Sequence, residues 1–325
     1  MLEGKDLILA TKPFAKENRA LSWFHTVTTM FIIAAIILTI FYVPHWYFKL
    51  IASLLLGFVN VRMFVIYHDH QHHAILHKDP IGNFFFFFYG LYTLAPTSIW
   101  KRSHDYHHAH NSKLFSASIG SYPIMTKQKF ESSTPSERRA YLFARHPLTI
   151  LFGFFTMFLW GMCIESFRSS PRRHWDSLLA IVVHVGVAAL IVIYSGWMIW
   201  FLAWFLPFFI QFCIGAYLFY AQHNFPGVKF KDNKGWTYEH AALESSSFMK
   251  LNAFFRWATA NIGYHHIHHM NARIPFYRLP EAMKAISELQ NPKLTSFKPK
   301  DVIACLKLKL WDPELQKMIP LPANY

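Results

Sequence analysis

Histidine is where the chemistry of this sequence concentrates. Of its 20 histidines, 13 fall in three short windows, residues 68–77, 104–110 and 265–269. The first opens His68-Asp69-His70-Gln71-His72-His73, the second His104-Asp105-Tyr106-His107-His108, and the third reads His265-His266-Ile267-His268-His269. On a helix His68 and His72 share a face, as do His104, His107 and His108, and again His265, His268 and His269. Neutral imidazole is the commonest metal-ligating side chain, and one helix can present two or three of these rings to one ion. Eight such ligands exceed what one ion can use, so a pair of ions is expected. A site rich in imidazole and without thiolate suits Fe, Zn, Cu or Ni. His70, His73, His77, His110 and His266 flank these positions and are expected in supporting or surface contacts.

The elements that must position these boxes are read from the apolar blocks. The chain has 325 residues, 53% hydrophobic and 15% charged, against about 25% charged in a soluble domain. Residues 20–48, 81–100, 147–164 and 177–228 contain no Asp, Glu, Lys or Arg. A membrane crossing needs about 20 apolar residues. A polar tail over 1–20 is followed by a first helical hairpin over 21–67, turning at Pro44-His45-Trp46. A second hairpin over 177–219 turns at Ser195-Gly196, with a kink expected at Pro207. Lys49 and Arg62 are expected to snorkel to an interface or to pair with an acid there. Residues 280–290 and 300–311 read as amphipathic helices of a cap, and Phe84–Phe88 suits lipid or an acyl chain on all sides. Cys163, Cys213 and Cys305 form no CxxC pair and read as reduced.

Topology follows from counting. If the boxes meet at one site, an even number of crossings must separate each pair. Only block 81–100 lies between His72 and His104, so it is expected to lie in the interface. Three blocks lie between His108 and residue 223, so one must fail to cross. Arg168-Ser-Ser-Pro-Arg-Arg follows 147–166, and such a run is unfavourable outside. The expectation is an all-α integral membrane protein, one domain over 1–325. It has four transmembrane helices in two hairpins, boxes 1 and 2 within 68–146, a cytoplasmic helical cap over 220–325 carrying box 3, and non-spanning segments 81–100 and 147–166. The net charge of +14 is then positive-inside bias, and nucleic acid is not an expected partner.

The boxes resemble those of the membrane fatty acid desaturase family, whose signature is HxxxH, HxxHH and HxxHH on the cytoplasmic side of a four-helix membrane domain. The resemblance covers roughly residues 20–290. It is strongest over Trp100-Lys-Arg-Ser-His-Asp-Tyr-His-His and Asn261-Ile-Gly-Tyr-His-His-Ile-His-His. The latter, continuing to Ile274-Pro275-Phe276-Tyr277, is similar to bacterial acyl-lipid desaturases. Members commonly add a histidine after the last spanning helix, which matches His223 in Tyr220-Ala-Gln-His-Asn-Phe. The resemblance implies nine metal ligands: His68, His72, His104, His107, His108, His223, His265, His268 and His269. His73 offers an HxxxxH alternative to His72, as in acyl-CoA desaturases. It further implies two Fe ions, O2 as co-substrate, a fatty acyl lipid substrate in a bacterial inner membrane, and oxidation on the cytoplasmic side. No cytochrome b5 domain is evident, so electrons are expected from a separate carrier, ferredoxin or cytochrome b5. That carrier is expected at the basic stretch containing Lys101, Arg102, Lys127, Lys129, Arg138 and Arg139. Expected channel walls are Phe84–Phe88, block 147–166 and the inner helix ends.

Three other readings share part of this pattern. A lipid hydroxylase or ketolase would carry the same boxes. A metal-binding or metal-transporting membrane protein should place its ligands near the middle of the spans, whereas the histidines within the hairpins, His25, His45 and His184, are scattered. A zinc hydrolase should carry an HExxH-type motif, and none occurs.

Overall fold

The computed structural model describes residues 2–114 and 122–322. Three helices are long and apolar enough to cross a membrane: Arg19–Tyr42, Trp46–Gln71 and Trp175–Ala221. The first begins where the Asn18 side chain accepts from Leu21 N and ends at extended Val43, because the residue before a proline is disfavoured in helix. Across Pro44 the second helix packs back along the first. This second helix is the central one: 72% of its most apolar window is buried, against 17% for each of the other two. It runs four residues beyond the expected end at Tyr67 and carries the first histidine box inside its last turn.

The 47-residue segment Trp175–Ala221 is broken at Gly196, which takes φ 81° and ψ 170°. Beyond it, Trp204 Nε1 donates to His184 Nε2 at 3.2 Å. In a continuous helix those residues would stand about 30 Å apart, so the chain folds back at the glycine. The turn before Pro207, Phe201–Phe205, is wound as π-helix and runs without a break into the α-helix Leu206–Ala221, a departure from regular winding of the kind that accommodates a proline inside a helix.

Neither of the other apolar blocks forms a helix of spanning length. Asp79 caps the first, accepting from Ile81 N and Gly82 N, and Pro80 opens a helix of 13 residues, Pro80–Tyr92, about 20 Å long. The chain then breaks over residues 93–96, with Leu94 at φ 51°. It restarts as Thr97–His110, the helix of the second box. Residues 147–166 form a short helix, Pro147–Leu151, and a π-helical stretch, Phe154–Glu165. That stretch lies against the Leu206–Ala221 helix, where Phe158 and Phe212 ring centroids are 4.2 Å apart.

Several expectations are corrected. The fold is mostly helical but not all-α. Leu308–Asp312 pairs antiparallel with Lys317–Pro320 and parallel with Met125–Thr126, and Phe248–Met249 pairs with Leu294–Thr295. The helix expected over 300–311 stops at Lys307, because Leu308 and Leu310 alternate with Lys309 as in a half-buried strand. The helix expected over 280–290 ends at Ala285 and is followed by a single 3₁₀ turn. The N-terminal segment is docked: Leu7 is fully buried, and Leu2 N and Gly4 N donate to Glu288 and Glu239. Arg62 neither snorkels nor meets an acid. It is buried and donates to Thr29 Oγ1 and Trp257 O, with a further nitrogen 3.2 Å from His25 Nδ1. Backbone and hydroxyl oxygens satisfy the guanidinium without a carboxylate. Lys49 likewise reaches the carbonyl of Phe41.

The central helix approaches Leu206–Ala221 most closely at Gly57, where a Cβ would stand 2.7 Å from Ile210 Cβ. Gly57→Leu should overpack this contact and destabilise the protein by about 1–3 kcal/mol. Thermal unfolding of the purified protein should show a lowered midpoint, whereas an unchanged midpoint would mean the two helices are free to separate.

Candidate metal centre

Each box sits on a helix end that its neighbours fix. The first closes the central helix, with His72 N bonded to His68 O, so the i, i+4 relation survives to the last residue. The second helix is held at its start by Asp176, whose carboxylate accepts from Ser98 N at 3.0 Å. The third follows Asn261-Ile262-Gly263, in which each residue has a local task. Asn261 takes φ 59° and donates to Phe276 O. Gly263 O accepts from Met249 N at 2.8 Å, and a Cβ on Gly263 would stand 2.8 Å from Met249 O.

The nine residues His68, His72, His104, His107, His108, His223, His265, His268 and His269 converge as two adjacent groups. One holds His68, His72, His104, His108 and His268; the other holds His107, His223, His265 and His269; within each group the ligating atoms all lie within 4.8 Å of one another. In the first, His68 and His104 Nε2 are 2.8 Å apart and His108 and His268 Nε2 3.1 Å. In the second, Nε2 atoms run His107–His223–His265–His269 at 3.1, 2.9 and 3.1 Å. The groups abut where the rings of His108 and His269 stack at 4.2 Å.

The first box lies whole in one group, whereas each HxxHH box is divided between the two. In every box the i, i+4 pair shares a group, and in both HxxHH boxes the i+3 histidine goes to the other. The helix rotation of about 100° per residue explains it: i+4 is displaced about 40° one way from i, and i+3 about 60° the other. The nitrogen geometry also fits metal ions. Two nitrogens bound at about 2.0–2.1 Å to one ion and at right angles lie about 3 Å apart. Neutral imidazoles are required for this. Burial first, and then the neighbouring imidazoles, hold His104, His107, His108, His268 and His269 well below the ordinary histidine value, and burial holds His223 down to about 4. His72 Nε2 is buried with no hydrogen-bond partner and belongs to the group of five.

The flanking histidines point elsewhere. His73, at φ 59°, is in neither group, its ring lying 4.3 Å from that of His77. His70 meets Asn83, and His266 meets Leu289 O. Supporting residues that spacing alone did not single out are now visible. His223 Nδ1 lies 3.0 Å from Ser245 O. Asp69, only 1% exposed, places Oδ1 3.2 Å from His68 Nδ1 and accepts from Phe276 N on Oδ2 at 2.7 Å. The sequence signal for Asp69 was an acid directly beside a candidate ligand.

An apolar cleft opens onto both groups. Val61, Phe64, Val65, Phe158, Phe212 and Leu218 line it, and His68 of one group and His265 of the other lie at its wall. Block 147–166 contributes Phe158 and the central helix its inner end, as expected. Phe84–Phe88 does not line it. Phe86 is buried while Phe84 and Phe88 face outward.

Asp69→Asn should disturb the first group through a proton. Phe276 N–H requires the amide oxygen, which turns the amide N–H2 toward His68 Nδ1 and favours the tautomer with its proton on Nε2. Loss of such a supporting partner costs about 10–100-fold in metal affinity. Metal analysis of the purified variant should show reduced occupancy, and wild-type occupancy would remove Asp69 from this role.

Similarity to known proteins agrees with the geometry. The profile of the family described as fatty acid desaturase matches residues 44–298. A fatty acid desaturase of Bacillus subtilis is 30% identical over 269 residues, covering 82% of this chain and 75% of that protein. A chloroplastic omega-6 fatty acid desaturase of Glycine max is 26% identical over 75% of this chain and 57% of its own length. An sn-1 acyl-lipid omega-3 desaturase (ferredoxin) of Nostoc is 23% identical over 83% of this chain and 76% of that protein. The chain belongs to the fatty acid desaturase family of oxidoreductases.

Proposed function

We propose that this protein is an O2-dependent desaturase that holds two iron ions and inserts a double bond into the acyl chain of a membrane lipid. The observation that carries the reading is the pair of converging imidazole groups at the wall of one apolar cleft. His68, His72, His104, His108 and His268 would hold one ion, and His107, His223, His265 and His269 the other. With O2, the two ions would supply the oxidising power to take hydrogen from an unactivated methylene, which acid–base side chains cannot do.

The protein's own contribution is placement and exclusion. The cleft's aliphatic and aromatic walls bind a hydrocarbon by burial and keep water from it. His68 and His265 then face the same stretch of chain, which is what removing hydrogens from neighbouring carbons demands. Asp69 and the Ser245 carbonyl hold the Nδ1 protons of His68 and His223, leaving each Nε2 free to bind.

The membrane arrangement is part of the proposal. Arg19–Tyr42 and Trp46–Gln71 form one hairpin of spans, and the two arms on either side of Gly196 form the other. The short helices over 81–100 and the π-helical stretch over 147–166 stay in the interface. Residues 1–20, 68–146 and 220–325 lie in the cytoplasm as one domain with the spans. The electron donor is a separate ferredoxin-type or cytochrome b5-type protein, a reading favoured by relatives whose names specify ferredoxin.

Two experiments test this. Purified wild-type protein should carry about two irons per chain, and a host expressing it should accumulate an unsaturated lipid. His72→Ala should lower bound iron and abolish the product, while His73→Ala should retain both; mainly zinc in the wild type, with a product formed without O2, would sink the reading. For topology, Ser170→Cys should be labelled from the cytoplasmic side. Labelling only from outside would mean that 147–166 crosses and that the second hairpin delivers His223 to the wrong face.

A further inference from the structure

Beside the two histidine groups, sharing no lining residue with the cleft, lies an open basin with an empty volume of about 1500 Å³. His72 reaches its floor, and Lys12, Lys16, Lys101 and Arg273 line it, with Asp105 as the one carboxylate. Asp105 is paired with Lys101 at 2.9 Å. Among the described residues no acid pairs with Lys12, Lys16 or Arg273, and all three are exposed. Three separate parts of the chain therefore bring net positive charge to one spot: the docked N-terminal segment, the start of the second-box helix, and the loop after the third box. The spot is also where a histidine of the group of five comes nearest to solvent from this side, His72 being 8% exposed.

From this geometry we infer that the basin is the docking surface for an acidic one-electron carrier protein. The inference rests on the desaturase reading and adds to it the place and the charge of the partner. Small-molecule sites are enclosed clefts. This basin is open and broad, and suits a convex protein surface. An unneutralised ring of cations steers an acidic partner and fixes its orientation. An electron delivered there enters through the imidazole of His72 and crosses no further protein. Of the basic residues where the sequence alone placed the donor, only Lys101 lines the basin; Arg102, Lys127, Lys129, Arg138 and Arg139 do not.

The test uses the full-length enzyme in lipid nanodiscs with a reduced acidic [2Fe–2S] ferredoxin as donor. Lys12→Glu/Lys16→Glu/Arg273→Glu should raise KM for ferredoxin at least tenfold at low salt, with kcat at saturating donor and iron content unchanged. The difference should shrink at high salt as the charges are screened. Lys127→Glu/Lys129→Glu should leave KM within twofold of wild type. A wild-type KM in the triple variant, or an equal rise in the control pair, overturns the assignment of the basin. If the triple variant is recovered without iron, the three single reversals decide: each should raise KM about two- to threefold, and three wild-type values overturn it. Wild-type enzyme that holds iron but accepts no ferredoxin electrons, with lipid and O2 present, overturns the desaturase reading itself along with the basin.

Discussion

Imidazole nitrogens packed about 3 Å apart inside a protein are the constraint on which this structure turns. A neutral ring has one N–H to share, so a chain such as His107–His223–His265–His269, with successive Nε2 separations of 3.1, 2.9 and 3.1 Å, is poorly served by hydrogen bonds alone. His72 Nε2, buried in the group of five with no protein partner, represents an expense of about 1–3 kcal/mol if left unmatched. Cations at the centre of each group would turn repelling lone pairs into ligands. Without them, the rest of the fold must hold the rings together against their own desolvation.

That holding is distributed. The central helix is both a span-length helix and the carrier of the first box, so movement in the apolar layer reaches the site directly. Arg62 joins this helix to Arg19–Tyr42 through Thr29 and to the cap through Trp257 O. It also lies over the rings of Trp257 and Phe276. Phe276 N in turn bonds Asp69, which faces His68. One continuous set of contacts thus runs from the first helix through Trp257 and Phe276 to His68. The small strands serve the same end: Phe248–Met249 lies against Gly263 and sets the start of the third box, and Arg145, buried and without a carboxylate partner among the described residues, ties the 308 strand to Tyr220 and Asn224 beside His223.

The apolar cleft and the charged basin reach the two histidine groups at different residues, His68 and His265 for the first and His72 for the second. Hydrocarbon needs a dry wall and an acidic protein needs a wet, cationic one, and the two requirements cannot share a surface. The i, i+4 pair His68 and His72 divides them: residues four apart share a helix face but sit one turn along it, so one ring looks back into the apolar layer and the other out past the helix end.

Local spacing determined much of this protein. Histidines three and four residues apart define helical faces whatever the tertiary context, so eight of the nine residues that meet were nameable from spacing, and His223 only from the family resemblance. The lengths of the apolar blocks defined the long helices, and Pro44 and Gly196 marked breaks by their backbone chemistry. The sequence did not carry the division of labour between groups. Whether His107 sits with His108 or with His223 depends on which side of one helix faces each partner helix, a matter of packing between segments more than a hundred residues apart. Tertiary context also overrode local preference where Leu308–Asp312 left the helical pattern to pair with the adjacent Lys317–Pro320 and the distant Met125–Thr126. It satisfied Arg62 with a carbonyl, a hydroxyl and an imidazole instead of an acid and folded the N-terminal segment against Glu239 and Glu288, with Leu7 buried. Asp69 lies between the two regimes: the sequence set it beside His68, and only the arrival of Phe276 N from 207 positions away fixed which way its carboxylate points.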